Sequence, residues 1–234
     1  CKYYYHGKWI VNLTKGIQLS RFVSEICEKV YDHTPLINNE MINKTILTPP
    51  IRKARMAIVD RLLQTSEGEK LEWEGYGPEV SIYRAMISNK GIDGLHCEAD
   101  AGLEAALQEI DTFVRSAVGV KQRMSSLYNR LLAAPFGIRK GIIPVYLAYV
   151  LHRIEGTITF YWENREFLAT AETLENVDAE PEKYELFIDE ATEDKERYID
   201  ALCDYFEVDP TASNRNSSVV AAMQRWMRGL PKIA

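Results

Sequence analysis

The chain is 234 residues long, 46% apolar and 26% charged, with a formal net charge of −6. This is the composition of a folded globular protein, and it excludes long-range disorder. No apolar run approaches the ~20 residues needed to cross a bilayer as a helix, and no secretory signal is visible. The length accommodates one large domain or two to three small ones.

From the N-terminus, Tyr3-Tyr4-Tyr5-His6-Gly7-Lys8-Trp9-Ile10-Val11-Asn12 reads as a hairpin turning at His6-Gly7-Lys8, with its aromatics packed on a neighbour rather than forming a ligand-stacking platform. Ser20 then reads as the cap of a helix whose apolar face is Phe22, Val23, Ile26, Val30 and Tyr31, ending at His33-Thr34-Pro35. A short helical turn is expected over 39–43. Thr48-Pro49-Pro50 opens the next helix, with proline at the position where its missing N–H costs nothing and Arg52, Lys53 and Arg55 in the first turns. An extended wing at Leu71–Pro78 and a helix over Val80–Ile87 complete a first unit.

Asn89-Lys90-Gly91 and Asp93-Gly94 break structure before a helix from Ala101 to Val118, packed through Leu103, Leu107, Ile110, Phe113 and Val114. Leu127 to Thr170 then spells helix, turn, long apolar helix and hairpin in the order of a winged helix. Tyr128, Leu131 and Leu132 follow helical spacing; Pro135, Gly137 and Gly141 punctuate the turn; Val145, Leu147, Ala148, Val150 and Leu151 make a helix apolar on most sides. The β-branched and aromatic run Thr157–Trp162 pairs with Phe167-Leu168-Ala169 across a turn at 163–166. Acidic helices are expected over 172–190 and 194–207, and an amphipathic segment over 217–230. The predicted fold is mainly α with small β-hairpins: tandem winged-helix-like units joined by helices. Its segments are 1–90 (hairpin and first unit), 91–170 (connecting helix and second unit) and 171–234 (acidic helical end). The start at Cys1 without a methionine, and the stop soon after that last segment, read as a piece of a longer polypeptide.

Charge is partitioned along the chain. Residues 1–120 carry net −2, 121–165 net +5, 166–209 net −13 and 210–234 net +4. The strongly acidic stretch would be repelled by a phosphate backbone. Cys1, Cys27, Cys97 and Cys203 form no C-x-x-C pair, which argues for a reducing, cytosolic setting; Cys27 and Cys203 read as small buried hydrophobes on apolar helical faces. His96-Cys97-Glu98 is the only local cluster of metal-ligand types, and adjacent residues rarely hold an ion alone, so neither metal nor cofactor is expected. His6, His33, His96 and His152 are dispersed, and no G-x-S-x-G, H-E-x-x-H or G-x-x-x-x-G-K-[ST] occurs. His152 reads as a helix-end histidine, and catalysis by this chain itself is not expected.

Three strings, Thr34–Asn43, Gly75-Tyr76-Gly77-Pro78-Glu79 with Ser81 and Tyr83, and above all Pro135-Phe136-Gly137-Ile138-Arg139-Lys140-Gly141-Ile142-Ile143-Pro144-Val145, resemble the middle region of very large bacterial P-loop ATPases of phage-defence operons, notably the large ATPase subunit of BREX-type systems. The resemblance runs in order through most of the chain to Arg225-Trp226 and Leu230-Pro231. It implies a non-catalytic helical and winged-helix region downstream of an ATPase core. Two binding roles follow. The units hold other parts of the parent or complex subunits together, the acidic helices serving as a docking surface or nucleic-acid mimic; or Arg52, Lys53, Arg55, Arg139, Lys140 and the wing residue Arg165 contact duplex DNA phosphates. The apolar helix from Ile142 to Leu151 offers Tyr146 and Tyr149 but almost no Arg, Asn or Gln to read base edges, so the protein-interaction role ranks first and any DNA contact should be non-specific.

Overall fold

The computed structural model describes residues 3–10, 15–65, 73–154, 156–189, 193–209 and 215–229. The chain is mainly α with small β-hairpins, as its periodicities predict, and the second hairpin belongs to a four-stranded antiparallel sheet that they do not. In order, the helices are α1 (Gly16–Val30), α2 (Pro49–Gln64), α3 (Pro78–Met86), α4 (Ala101–Ser116), α5 (Met124–Leu132), α6 (Ile143–Leu151), α7 (Ala171–Ala179), α8 (Glu193–Phe206) and α9 (Arg215–Gly229). The strands are β1 (Tyr3–Tyr5), β2 (Lys8–Ile10), β3 (Gln122–Arg123), β4 (Thr157–Trp162), β5 (Arg165–Leu168) and β6 (Glu185–Asp189).

Both hairpins turn through two residues with positive φ, His6 and Gly7 in one and Glu163 and Asn164 in the other. Such primed turns match the twist of the flanking strands, and this local rule is why both hairpins form where the sequence places them. The second hairpin is not a free wing, however. β4 pairs with β5 on one edge and β6 on the other, and β6 also pairs with β3, giving the antiparallel order β3-β6-β4-β5.

That arrangement corrects the acidic helix expected over 172–190. α7 ends at Ala179, and residues 185–189 form β6, whose Leu186 and Ile188 are fully buried while Asp189 on the alternate face is exposed. Good helix formers lose here to period-two burial and to main-chain pairing on both edges. In the first unit no strand occurs among described residues 73–77, and Leu71 and Glu72 of the expected wing lie outside the described residues. Ser20 is not a cap either. It lies inside α1, its hydroxyl donating to the Gly16 carbonyl at 3.2 Å, while the Gln18 side chain accepts from the Lys15 backbone N–H at the true N-terminus.

One buried apolar cluster runs from Ile37 to Ile188 and draws on all three expected segments. α6 is its axis: all nine residues from Ile143 to Leu151 are buried. Tyr146 and Tyr149 point inward too, donating to the Met86 carbonyl at 3.3 Å and the Gly94 carbonyl at 2.8 Å. α1 is the opposite case. It is amphipathic, but none of its residues is buried: Ile17, Val23 and Val30 stay exposed, and Phe22 is half-covered by an edge contact with Tyr5 at 5.9 Å. Cys27 is therefore exposed, against the expectation of burial, whereas Cys203 is buried in α8. No described helix is long and apolar enough to cross a membrane.

Candidate functional site

Two helix starts carry the predicted basic residues, and the fold treats them differently. On α2, Arg55 is 2% exposed and reaches three partners: Nη2 sits 2.5 Å from Glu175, Nη1 2.9 Å from Asp178, and Nη1 donates to the Gly141 carbonyl at 3.2 Å. Arg52 Nε lies 3.0 Å from the other oxygen of Glu175. Glu175 and Asp178 stand one turn apart on α7, so a single face of that acidic helix meets both arginines. α7 is held there by Leu174 and Val177 in the core and starts at Thr170, whose hydroxyl accepts from the Thr173 N–H at 3.1 Å. Burial pushes the Asp178 carboxyl above its usual range despite the opposing pull of Arg55. The Tyr128 hydroxyl, fully buried beside it, is pushed well above the usual phenol range by burial and then by the Asp178 charge. Arg55 is thus withdrawn from any phosphate contact, a correction to its expected role that rests on a segment 120 residues later in the chain.

The remaining predicted cations differ in exposure. Lys140 is half-buried, its ammonium 3.5 Å from the Ala179 carbonyl, and Lys53, Arg139 and Arg165 are exposed. Arg139 lies in the loop between α5 and α6 and Arg165 at the start of edge strand β5.

The loop between α5 and α6 is pinned by hydrogen bonds to distant segments. Its Ala134–Pro135 peptide is cis. The Ile138 N–H donates back to the Leu131 carbonyl at 2.8 Å, the Gly141 N–H donates to the Lys44 carbonyl at 2.9 Å, and the Pro135 carbonyl accepts from the His33 N–H at 3.2 Å. Glycine is required twice. A Cβ on Gly141 would stand 2.6 Å from the Ile42 carbonyl oxygen, and Gly137 combines φ +58° with a Cβ position 2.6 Å from Tyr31 Cδ1. The loop thus seals against residues 31–34 and 42–44. Beside the seal is an open cleft of about 620 Å³, lined by Tyr31 and Cys27 of the α1 end, Asn43 and Thr45, and Leu132, Ile138, Arg139 and Ile142. The sequence marks Arg139 as a binding candidate but Cys27 only as a buried hydrophobe, and it gives Asn43 and Thr45 no site role. Nothing in their spacing signals that they converge, because the loop joins them through tertiary hydrogen bonds.

No other ligand-type cluster emerges. Cys97 is buried and its thiol donates to the Lys90 carbonyl at 3.3 Å, His96 Nδ1 lies 2.6 Å from Glu104, and no group of three or more potential metal-ligating side chains occurs among the described residues. His152 caps the C-terminus of α6. No protein-family model matches the chain, and neither the curated proteins nor the solved structures contain a match to it.

Proposed function

We propose that this chain is a non-catalytic interaction module of a larger, defence-associated cytoplasmic ATPase, built from winged-helix-like units and mediating contacts with other parts of the parent or with complex subunits. The observation that carries this reading is the burial of α6. A helix with all nine residues inside the core has no face to lay in a DNA groove, and its two tyrosines are spent on the Met86 and Gly94 carbonyls. The neutralisation of Arg52 and Arg55 by α7 adds to it. α1 supplies the complementary feature, an amphipathic helix with an uncovered apolar face of the kind that partner surfaces cover.

Non-specific duplex contact through Lys53, Arg139, Lys140 and Arg165 is the second reading, favoured by the exposure of three of these four cations. Fluorescence anisotropy with two unrelated duplexes of equal length at two salt concentrations separates the two. The duplex reading expects sequence-blind binding that falls steeply with salt, with Arg139→Ala/Lys140→Ala flattening the salt slope by at most about 2, one per phosphate contact, whereas no detectable binding even at low salt leaves the interaction reading. Hydrogen exchange tests the interaction side: amides of residues 16–30 should exchange more slowly in the full parent polypeptide than in this chain. Tight, sequence-selective binding that survives high salt would overturn both readings, and unchanged exchange of 16–30 would remove α1 from the interface.

A further inference from the structure

We propose that the cleft between the end of α1 and the 135–142 loop binds a small organic anion: an apolar body carrying one carboxylate or phosphate group. Its volume of about 620 Å³ lies within the roughly 300–1,000 Å³ usual for small-molecule sites. Leu132, Ile138 and Ile142 supply apolar wall, Asn43 and Thr45 supply uncharged polar groups, and Arg139 is the one charged residue in the lining. Among the described residues no carboxylate pairs with Arg139, whereas Arg52 and Arg130 are each held by one and Arg55 by two. An unpaired guanidinium at a partly apolar concavity selects an anion, because its planar fork gains two charge-assisted hydrogen bonds on a carboxylate or phosphate while the walls take the ligand's apolar part. A single cation matches a single anionic group, not a nucleic-acid backbone. One part of the lining is built in, since the Tyr31 ring rests on Gly137, a position no other residue fills without displacing it.

Cys27 lines the same cleft and is exposed, while Cys97 and Cys203 are buried, so its thiol reports occupancy. The test is site-resolved alkylation of the whole chain with iodoacetamide, the rate at Cys27 being read by mass spectrometry with and without probe. Three probes divide the ligand's features: 4-phenylbutyrate has body and charge, 4-phenylbutan-1-ol body alone, and inorganic phosphate charge alone. The expected result is protection of Cys27 by 4-phenylbutyrate at millimolar concentration, with the alcohol about tenfold or more weaker and phosphate without effect, since an ionic hydrogen bond is worth roughly a tenfold factor or more. Arg139→Gln should abolish the preference for the acid over the alcohol, whereas Arg130→Gln should leave it intact. Equal protection by acid and alcohol, protection by phosphate alone, acid preference surviving Arg139→Gln, or a Cys27 that none of the probes slows or that does not react at all would each overturn the proposal.

Discussion

Replacing Arg55 by Met tests whether α7 is locked to α2 by a desolvated charge cluster. The substitution keeps most of the side-chain volume but removes the contacts to Glu175 at 2.5 Å, Asp178 at 2.9 Å and the Gly141 carbonyl at 3.2 Å. Asp178, whose side chain is only 12% exposed, is then left without a guanidinium partner, and Glu175, 19% exposed, keeps only Arg52. Removing one partner of a buried ion pair costs about 3–5 kcal/mol because the other charge is left uncompensated. At about 2–4 °C per kcal/mol for a chain of this size, Tm should fall by roughly 6–20 °C. The deficit should shrink in acid. The Asp178 carboxyl is already raised by burial, and losing Arg55 removes the pull that opposes this. Burying its charge is unfavourable above the folded-state pKa, and that cost is relieved as pH falls through it toward the ordinary value of 3.8. Urea unfolding followed by circular dichroism measures the loss, and the triple variant Arg55→Met/Glu175→Gln/Asp178→Asn should recover more than half of it by removing the stranded charges. A single variant costing less than about 1 kcal/mol, the range of exposed pairs, would refute the reasoning, as would a triple variant no more stable than the single.

Asp100→Ala removes the cap of α4, in which one carboxylate oxygen accepts from the Leu103 N–H at 2.9 Å and the other from the Leu36 N–H at 2.9 Å and Lys90 at 2.8 Å. The expected loss is about 2–3 kcal/mol, the cap plus the donors left behind. Burial pushes this carboxyl up, but Lys90 and the two N–H donors outweigh it and hold it below 3.8. Its contribution is therefore present above that pH and lost as pH falls through the lowered value, so urea midpoints of wild type and variant should converge in strong acid. Gly137→Ala and Gly119→Ala form a matched pair. Both sit at positive φ, but only the first meets Tyr31, the second having nothing within 4 Å. Gly119→Ala should cost about 1–2 kcal/mol of backbone strain and Gly137→Ala more, with a change in the fluorescence environment of Tyr31; equal costs would mean the ring is not seated on the glycine.

What this chain's local chemistry decides, its sequence decides alone. The proline pair at the start of α2, the positive-φ turns at His6-Gly7 and Glu163-Asn164, and the apolar run that becomes α6 all act over a few neighbouring residues, so their elements are legible without a fold. Residues 185–189 are different. Glu185-Leu186-Phe187-Ile188-Asp189 continues an acidic helical pattern on paper, and it becomes strand because β4, almost thirty positions earlier, and β3, about sixty earlier, offer it unpaired main chain and a place for Leu186 and Ile188 in the core. The binding candidates show the same division. That Arg52, Lys53, Arg55, Arg139, Lys140 and Arg165 are cations follows from their chemistry, but which of them meets solvent depends on what packs against them. Arg55 is consumed by Glu175 and Asp178 on a distant helix, and Arg139 is left at a cleft whose other walls come from the end of α1 and from residues 43–45. Cys27 is exposed for a related reason: the stripe on α1 is apolar, and the described structure covers it only in part, so that no residue of the helix is buried. Amphipathicity states that a face can be buried; only the neighbours determine whether it is.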